Sequence, residues 1–258
     1  MPKTRLDLLL VERGMADSRA RAQALVMAGQ VRVEGQVEIK PSAQVAPEAR
    51  LEIEPGQRYV SRGGEKLEAA LMNFAVELQG RICADVGAST GGFTDCLLQH
   101  GVAKVYAIDV GKGLLHWKLR TDARVVVLEQ TNARLLASLP EPVNLVTIDA
   151  SFISLKLLLP VVKGWFSTTG QGENKGKGGS NPPGEVIALV KPQFEAGRKE
   201  AARGKGVIRD PAVHQAVLKD ILAFAESQGF NLRGQIQSPV VGPKGNIEFL
   251  VWLEYPVK

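Results

Sequence analysis

The first 58 residues carry the hydrophobic pattern of a small module with two helices followed by short strands. Apolar residues at helical spacing predict a first helix that Thr4 caps and Gly14 ends. A second helix is expected to begin after Ser18 and to end before Gly29. Apolar and polar residues then alternate on both sides of Gly35, which predicts a hairpin. This stretch is therefore the first predicted domain.

From residue 65 to residue 258 nearly continuous apolar strands alternate with helices, and residues 59–64 are the predicted linker. Strands of this kind predict a parallel sheet that is covered on both faces. The last two strands have no helix between them, so they are expected to be antiparallel. Residues 170–184 interrupt the pattern with a polar, glycine-rich sequence and are predicted to be a flexible insertion. The seven predicted strands are 81–86, 102–109, 125–129, 143–149, 186–191, 230–237 and 246–255.

The composition fits a folded protein and excludes several classes. The chain has 258 residues, of which 45% are hydrophobic and 23% charged, and this excludes a disordered or fibrous chain. No apolar run approaches the ~18 residues of a membrane span, and the first residues lack the apolar core that a signal peptide needs, so we expect none. We therefore expect a cytoplasmic protein that does not bind membranes. Two cysteines, Cys83 and Cys96, and three separated histidines predict neither a disulfide framework nor a metal site.

Basic residues are concentrated at the start of the chain, although the net charge is only +5. The first 33 residues hold six basic and three acidic side chains. Arg19 and Arg21 begin the second predicted helix, where cations oppose the helix dipole. A phosphate-binding surface explains that choice, whereas a purely structural role does not. An ordinary solvated face remains the alternative.

The same module resembles the S4 RNA-binding domain. The resemblance rests on Leu6-Asp7, Gly14, Ser18-Arg19, Ala22, Leu25-Val26, Gly29, Val31, Val33, Gly35 and Lys40-Pro41-Ser42, in that order. It implies a structured RNA partner without fixing the chemistry. A second basic stretch after Lys191 is a predicted RNA clamp, with a solvated loop as the alternative. The predicted RNA-binding residues are Arg5, Arg19, Arg21, Arg62, Arg198, Lys199, Arg203 and Lys205.

A glycine-rich loop follows the first strand of the predicted sheet and opens a helix, where open α/β sheets bind ligands. Asp109 ends the next strand, 22 residues after Gly87, where an acid can bind ribose hydroxyls. Ser89 stands where a dinucleotide fingerprint needs glycine, so the loop favours S-adenosylmethionine, with Asp85 facing its amino group directly or through water. A merely structural strand–turn–helix remains the alternative. The predicted cofactor-binding residues are Asp85, Gly87, Ser89, Gly91, Gly92, Phe93, Asp109, Asn132 and Asp149.

Charges of both signs fall near the carboxyl ends of the predicted strands. Asp149 ends one strand and Lys191 the next, Glu248 lies in the last strand, and Lys66 begins the helix that leads into the domain. Any one of them alone is more simply explained as a solvated charge or a structural ion pair. Their joint placement at one sheet edge predicts a catalytic cluster. A separate Asn-Pro-Pro-Gly sequence at 181–184 lies inside the insertion and is discounted as a methylation motif.

These four residues match the Lys-Asp-Lys-Glu tetrad of the FtsJ/RrmJ-like ribose 2′-O-methyltransferases. Together with the S4-like module, the chain resembles the TlyA (haemolysin A) family. The resemblance implies a Rossmann-like α/β S-adenosylmethionine-dependent methyltransferase fold, with a seven-stranded, mostly parallel sheet whose last strand is antiparallel, behind a small α+β domain. It also implies ribose 2′-O-methylation of cytidine in bacterial ribosomal RNA, ribosomal RNA or ribosomal subunits as partner, and Lys191 as the base. We expect a monomer.

The residue types suit this chemistry. A ribose hydroxyl is a poor nucleophile near neutral pH, so it must lose its proton during methyl transfer. A buried lysine beside a second cation can take that proton, and carboxylates can hold the two cations together. Two other functions remain open: a membrane-active haemolysin, and an RNA-binding protein whose methyltransferase domain is inactive.

Overall fold

The chain forms two compact units, Met1–Arg58 and Tyr59–Lys258. The structure, a computed structural model, describes residues 2–54, 56–166, 183–197, 200, 204 and 206–257. Most of the predicted insertion at 170–184 therefore lies outside the described residues. Its last residue, Gly184, is the first residue of a sheet strand and so does not belong to an insertion.

The first unit contains two helices and five short strands. They are β1 Thr4–Arg5, α1 Leu6–Glu12, α2 Arg19–Met27, β2 Val31–Val33, β3 Gln36–Val37, β4 Gln44–Val45 and β5 Leu51–Ile53. β1 pairs with β4, and β2 lies between β3 and β5, all antiparallel. Ser18 caps α2 as predicted, because its Oγ accepts a hydrogen bond from the Arg21 N–H at 3.2 Å. The predicted Thr4 cap is wrong: Thr4 pairs with Val45 in β1, and Arg5 precedes α1 without a side-chain cap.

Asp7 is a charged residue that is buried in the first unit. It is fully buried beside the apolar residues of α1 and α2, which form the core of this unit. Its carboxylate accepts hydrogen bonds from Arg5 at 2.9 and 3.0 Å, from Gln23 at 2.8 Å and from Arg19 at 3.0 Å. The Arg5 guanidinium, helped by Gln23 and Arg19, holds the pKa of Asp7 well below its ordinary value despite desolvation.

The second unit alternates helices and strands as predicted. Its α-helices whose two ends both lie in the described residues are α3 Gly63–Phe74, α4 Gly92–Gln99, α5 Trp117–Arg120, α6 Leu155–Val162, α7 Pro192–Glu195 and α8 Pro211–Ser227. Its strands are β6 Ile82–Val86, β7 Lys104–Ile108, β8 Val125–Leu128, β9 Leu145–Ile148, β10 Gly184–Val190, β11 Asn231–Gln237 and β12 Phe249–Tyr255. The predicted linker is too long by two residues, because Gly63 and Gly64 belong to α3. Tyr59 packs so closely over Gly64 that a Cβ there would overlap its ring.

These seven strands form one sheet in the order β11-β12-β10-β9-β6-β7-β8. β12 runs antiparallel to both of its neighbours, while β10, β9, β6, β7 and β8 run parallel to one another. Successive strand residues face two apolar clusters, one packed with α6 and α8 and the other with α3 and α4. Because β10, β9, β6, β7 and β8 are parallel, they all end at the same edge of the sheet, and the loops that follow them lie at that edge.

We predict that Asp7→Asn loosens the first unit without affecting the second. The amide can no longer form an ion pair with Arg5 or Arg19, so amide hydrogens of α1 and α2 should exchange roughly tenfold faster in the full chain. Lowering the pH from about 4 should progressively remove the same stabilisation from the wild type, because the carboxyl of the unfolded chain binds a proton near pH 4 whereas the folded one keeps a lowered pKa. Hydrogen exchange followed by mass spectrometry measures both changes as protection factors, in which each observed rate is compared with the intrinsic exchange rate at the same pH.

Asp17→Asn is the matched control, because Asp17 is an exposed acid of the same unit. Equal exchange rates in the Asp7 and Asp17 variants would contradict a stabilising role for Asp7.

Candidate active site

Two ion pairs lie at the edge of the sheet where the parallel strands end. Lys66 of α3 lies 2.7 Å from Glu248, just before β12, measured from Nζ to Oε2. Lys191 follows β10, and its Nζ lies 2.6 Å from Oδ1 of Asp149, which follows β9. All four side chains line one cavity of about 360 Å³. The fold thus brings together residues that are up to 182 positions apart in the sequence.

Three further residues hold these pairs in place and are absent from the sequence prediction. The Gln193 side-chain amide donates to Oε1 of Glu248 at 3.1 Å, and Gly242 packs so closely on that carboxylate that a Cβ would overlap it. Ser151 accepts a hydrogen bond from Nζ of Lys191 at 2.9 Å. Ser151 and Gln193 are each two residues from a predicted site residue. Their position in the sequence, next to predicted site residues, is the one feature that could have indicated them, since their contacts are with residues far away along the chain.

The glycine loop after β6 approaches the end of β9 closely. Gly87 has φ +82°, and a Cβ there would lie 2.8 Å from the carbonyl oxygen of Asp149. Both properties require glycine at this position. The N–H of Ser89 donates to Oδ2 of Asp109 at 2.8 Å, and that of Gly111 donates to Oδ1 at 2.7 Å. The acid after β7 is thereby fixed beside the loop.

A second cavity, of about 370 Å³, adjoins the first and shares Gly87, Ser89, Asp149 and Ser151 with it. Its walls include apolar side chains from three strand ends and the helix after β9, and they also include Asp109 and Asn132. Asn132 caps a short helical turn by accepting from the Arg134 N–H at 3.1 Å. None of the described lining residues is lysine or arginine. The cavity is therefore acidic and unsuited to phosphate groups.

Asp85 lies beneath the loop and lines neither cavity, in contrast to the expected position facing a cofactor amine. It is fully buried, and its carboxylate accepts hydrogen bonds from Thr94 at 2.7 Å and from Thr147 at 3.1 Å. Burial raises its pKa to about 6, although both hydroxyls oppose that shift. Asp85 thus anchors the loop and α4 to the sheet.

The remaining predicted cofactor residues divide into two groups. Phe93 lines the cavity that holds the ion pairs. Gly91, with φ +98°, and Gly92 line neither cavity. A Cβ on Gly91 would overlap Leu119, and one on Gly92 would lie 2.8 Å from the backbone nitrogen of Gly64. These two glycines serve the packing of α4.

The predicted RNA-binding residues lie in both units. Arg62 is exposed at the start of α3 and lines the cavity of the ion pairs. In the first unit Arg5 and Arg19 both contact Asp7, while Arg21 is exposed on α2. The remaining four, Arg198, Lys199, Arg203 and Lys205, lie outside the described residues.

Comparison with known proteins identifies both units. The family model described as FtsJ-like methyltransferase matches residues 59–255, and the S4 domain model matches residues 4–51. TlyA of Mycobacterium tuberculosis, named a 16S/23S rRNA (cytidine-2′-O)-methyltransferase, is 42% identical over 97% of this chain and 90% of its own length. This chain belongs to the TlyA (haemolysin A) family. YqxC of Bacillus subtilis, an rRNA methyltransferase candidate, is 45% identical over 98% of this chain and 86% of its own.

A solved structure agrees with that assignment to the TlyA family. A haemolysin candidate from Streptococcus thermophilus has 42% identity and a TM-score of 0.71, over 99% of this chain and 89% of that chain. Both ion pairs fall inside the part of the chain that the FtsJ-like model matches. Of the described helices, none combines the length and hydropathy that a bilayer-spanning segment requires.

We predict that Glu248→Gln destabilises the second unit by about 3–5 kcal/mol, because it leaves the buried Lys66 ammonium without its counter-charge. Urea unfolding followed by tryptophan fluorescence measures this change, since all three tryptophans lie in this unit. Glu226→Gln, on the exposed face of α8, is the matched control. Replacing both partners, Lys66→Met with Glu248→Leu, should recover much of the loss. A Glu248→Gln variant as stable as the control would contradict the role given to this ion pair.

Proposed function

We propose that this chain uses S-adenosylmethionine to methylate the ribose 2′-oxygen of a cytidine in ribosomal RNA. The observation that carries the proposal is the pair of adjoining cavities. One is acidic and partly apolar, the other contains both ion pairs, and they share the loop residues Gly87 and Ser89 and the strand-end residues Asp149 and Ser151. A cofactor in the first cavity would therefore reach an acceptor in the second.

The acidic cavity fits S-adenosylmethionine better than a dinucleotide. That cofactor is a cation without phosphates, and it supplies an electrophilic methyl group when bound. Asp109 is positioned to accept hydrogen bonds from ribose hydroxyls, because its carboxylate already accepts two backbone N–H groups beside the loop. Apolar side chains such as Ile108, Leu114 and Leu158 offer a surface for the adenine.

Lys191 is the proposed base for the ribose hydroxyl. Its Nζ is buried, and it contacts the Asp149 carboxylate and the Ser151 hydroxyl, which fix the direction in which it points. The amine can accept the hydroxyl proton only after its own proton has passed to Asp149 or to solvent. A cationic cofactor beside it would favour that loss. Lys66 and Glu248 line the same cavity as Lys191.

RNA recognition is proposed for the first domain, residues 1–58. Asp7 holds Arg5 and Arg19 in fixed positions while about a third of the Arg5 side chain and half of the Arg19 side chain stay exposed. Arginines ordered in advance lose less conformational entropy when they bind phosphates. The tetrad match and the activity for which the Mycobacterium tuberculosis relative is named support ribosomal RNA as the substrate class and the cytidine 2′-oxygen as the acceptor.

We predict that Lys191→Ala lowers the methyl-transfer rate by about 10²–10⁴-fold, as expected for a lost general base. Cofactor binding should stay close to the wild-type affinity, because the acidic cavity does not include Lys191. Single-turnover transfer of a labelled methyl group measures the rate, and isothermal titration measures cofactor affinity.

Lys219→Ala, on the exposed face of α8, is the control and should change neither quantity. If Lys191→Ala lost cofactor affinity and rate to the same degree, the base role would be refuted.

The acceptor is tested on ribosomal subunits from cells that lack the gene. Incubation with the protein and labelled S-adenosylmethionine should protect one or a few ribose positions against alkaline cleavage, each of them a cytidine. Protection requires methyl on the 2′-oxygen, since that oxygen attacks the phosphate during cleavage. Methyl label on a base, or on no RNA, would reject the proposed function.

A further inference from the structure

A cluster of metal-binding side chains lies on the α3–α4 face, outside both cavities. Glu68 belongs to α3, Cys96 belongs to α4, and His100 ends α4 one turn after Cys96. One oxygen of Glu68, Oε2, lies 2.6 Å from Nε2 of His100 and 3.8 Å from Sγ of Cys96. The donor atoms of all three residues lie within 4.8 Å of one another.

The three donors are of the kinds that zinc prefers. Thiolate sulfur, imidazole nitrogen and carboxylate oxygen bind Zn²⁺ at about 2.3, 2.1 and 2.1 Å in tetrahedral sites, which places neighbouring donors about 3.4–3.7 Å apart. The distance from Cys96 to Glu68, 3.8 Å, exceeds that range by only about 0.1 Å. The distance from His100 to Glu68 is short by about 1 Å, which a small movement of the partly exposed imidazole can supply.

The surroundings complete such a site. The Tyr59 hydroxyl donates to Oε2 of Glu68 at 2.8 Å, so an outer hydrogen bond already orients the carboxylate. Cys96 is fully buried against apolar residues, whereas a third of the His100 side chain is exposed. An ion can therefore enter beside the imidazole, and water can occupy a fourth position.

We propose that Glu68, Cys96 and His100 bind one zinc ion that joins α3 to α4. Zinc would replace the proton of the Cys96 thiol, which would pass to solvent, and a neutral His100 would carry its single ring proton on Nδ1 so that Nε2 can bind the ion. The ion has a structural role: α3 carries Lys66, and α4 begins at the glycine loop, so the site connects the two helices that border the proposed active site. The hydrogen-bonded cluster without metal is the competing explanation.

The test uses the full chain without an affinity tag, stripped of metal with a chelator and titrated with Co²⁺ as a spectroscopic substitute for Zn²⁺. We expect saturation at one ion per chain, with the visible bands of tetrahedral cobalt and a near-ultraviolet thiolate-to-cobalt band. Added Zn²⁺ should displace the cobalt. Wild-type protein without these bands would overturn the proposal, whatever its methyltransferase activity.

Variants assign the ligands. Cys96→Ala should abolish the thiolate band, whereas Cys83→Ala should keep it, because Cys83 is a buried cysteine of β6 outside the cluster. His100→Gln, at a partly exposed position, should weaken zinc binding measurably even if the Cys96 variant folds poorly. Tyr59→Phe should weaken it by about 10–100-fold, measured against a chromophoric chelator. Unchanged zinc affinity in both of these last variants would refute the assigned site.

Discussion

Burying two ammonium groups at the edge of the sheet is the constraint on which the site depends. An amine removed from water is costly unless a carboxylate compensates it, so Lys66 requires Glu248 and Lys191 requires Asp149. The compensating acids come from different elements, and the pairs therefore form only when α3, β9, β10 and β12 occupy their places in the sheet. The site therefore forms only in the completed fold. Breaking one ion pair should lower the stability of the second unit and also displace the remaining side chains of the site.

The parallel strands explain why two cavities meet at this edge. Gly87 approaches the carbonyl of Asp149 so closely that the loop after β6 and the turn after β9 form one wall. Asp85 and its threonine partners secure that loop from below, which leaves Asp109 and Asp149 as the acids that face the cavity. A methyl donor and an acceptor can then lie on either side of the same short segment, which is the arrangement that direct transfer needs.

The first unit also compensates a buried charge with ion pairs, but there the compensating groups reach solvent. Asp7 is buried, yet the arginines that compensate it are partly exposed. The same ion pairs that stabilise the helices also present guanidinium groups to solvent in fixed positions. Stability and the phosphate-binding surface that we propose would thus come from one cluster of residues, which suits a small domain with a limited core.

The sequence alone determined most of the fold. Its hydrophobic periodicity located the seven strands of the large sheet and its principal helices. Its charged residues near the strand ends and at the start of α3 predicted the four members of the cluster, and the structure showed how they pair. Its errors were local. Thr4 is drawn into a strand instead of capping α1, and Gly63 and Gly64 join α3. The sequence also could not separate Gly87, which faces the cavities, from Gly91 and Gly92, which serve packing. Only the tertiary structure decided that Asp85 is an anchor, that Ser151 and Gln193 support the ion pairs, and that Glu68 meets Cys96 and His100. Periodicity records which face of an element is buried, whereas the partner of a side chain depends on contacts between residues far apart along the chain.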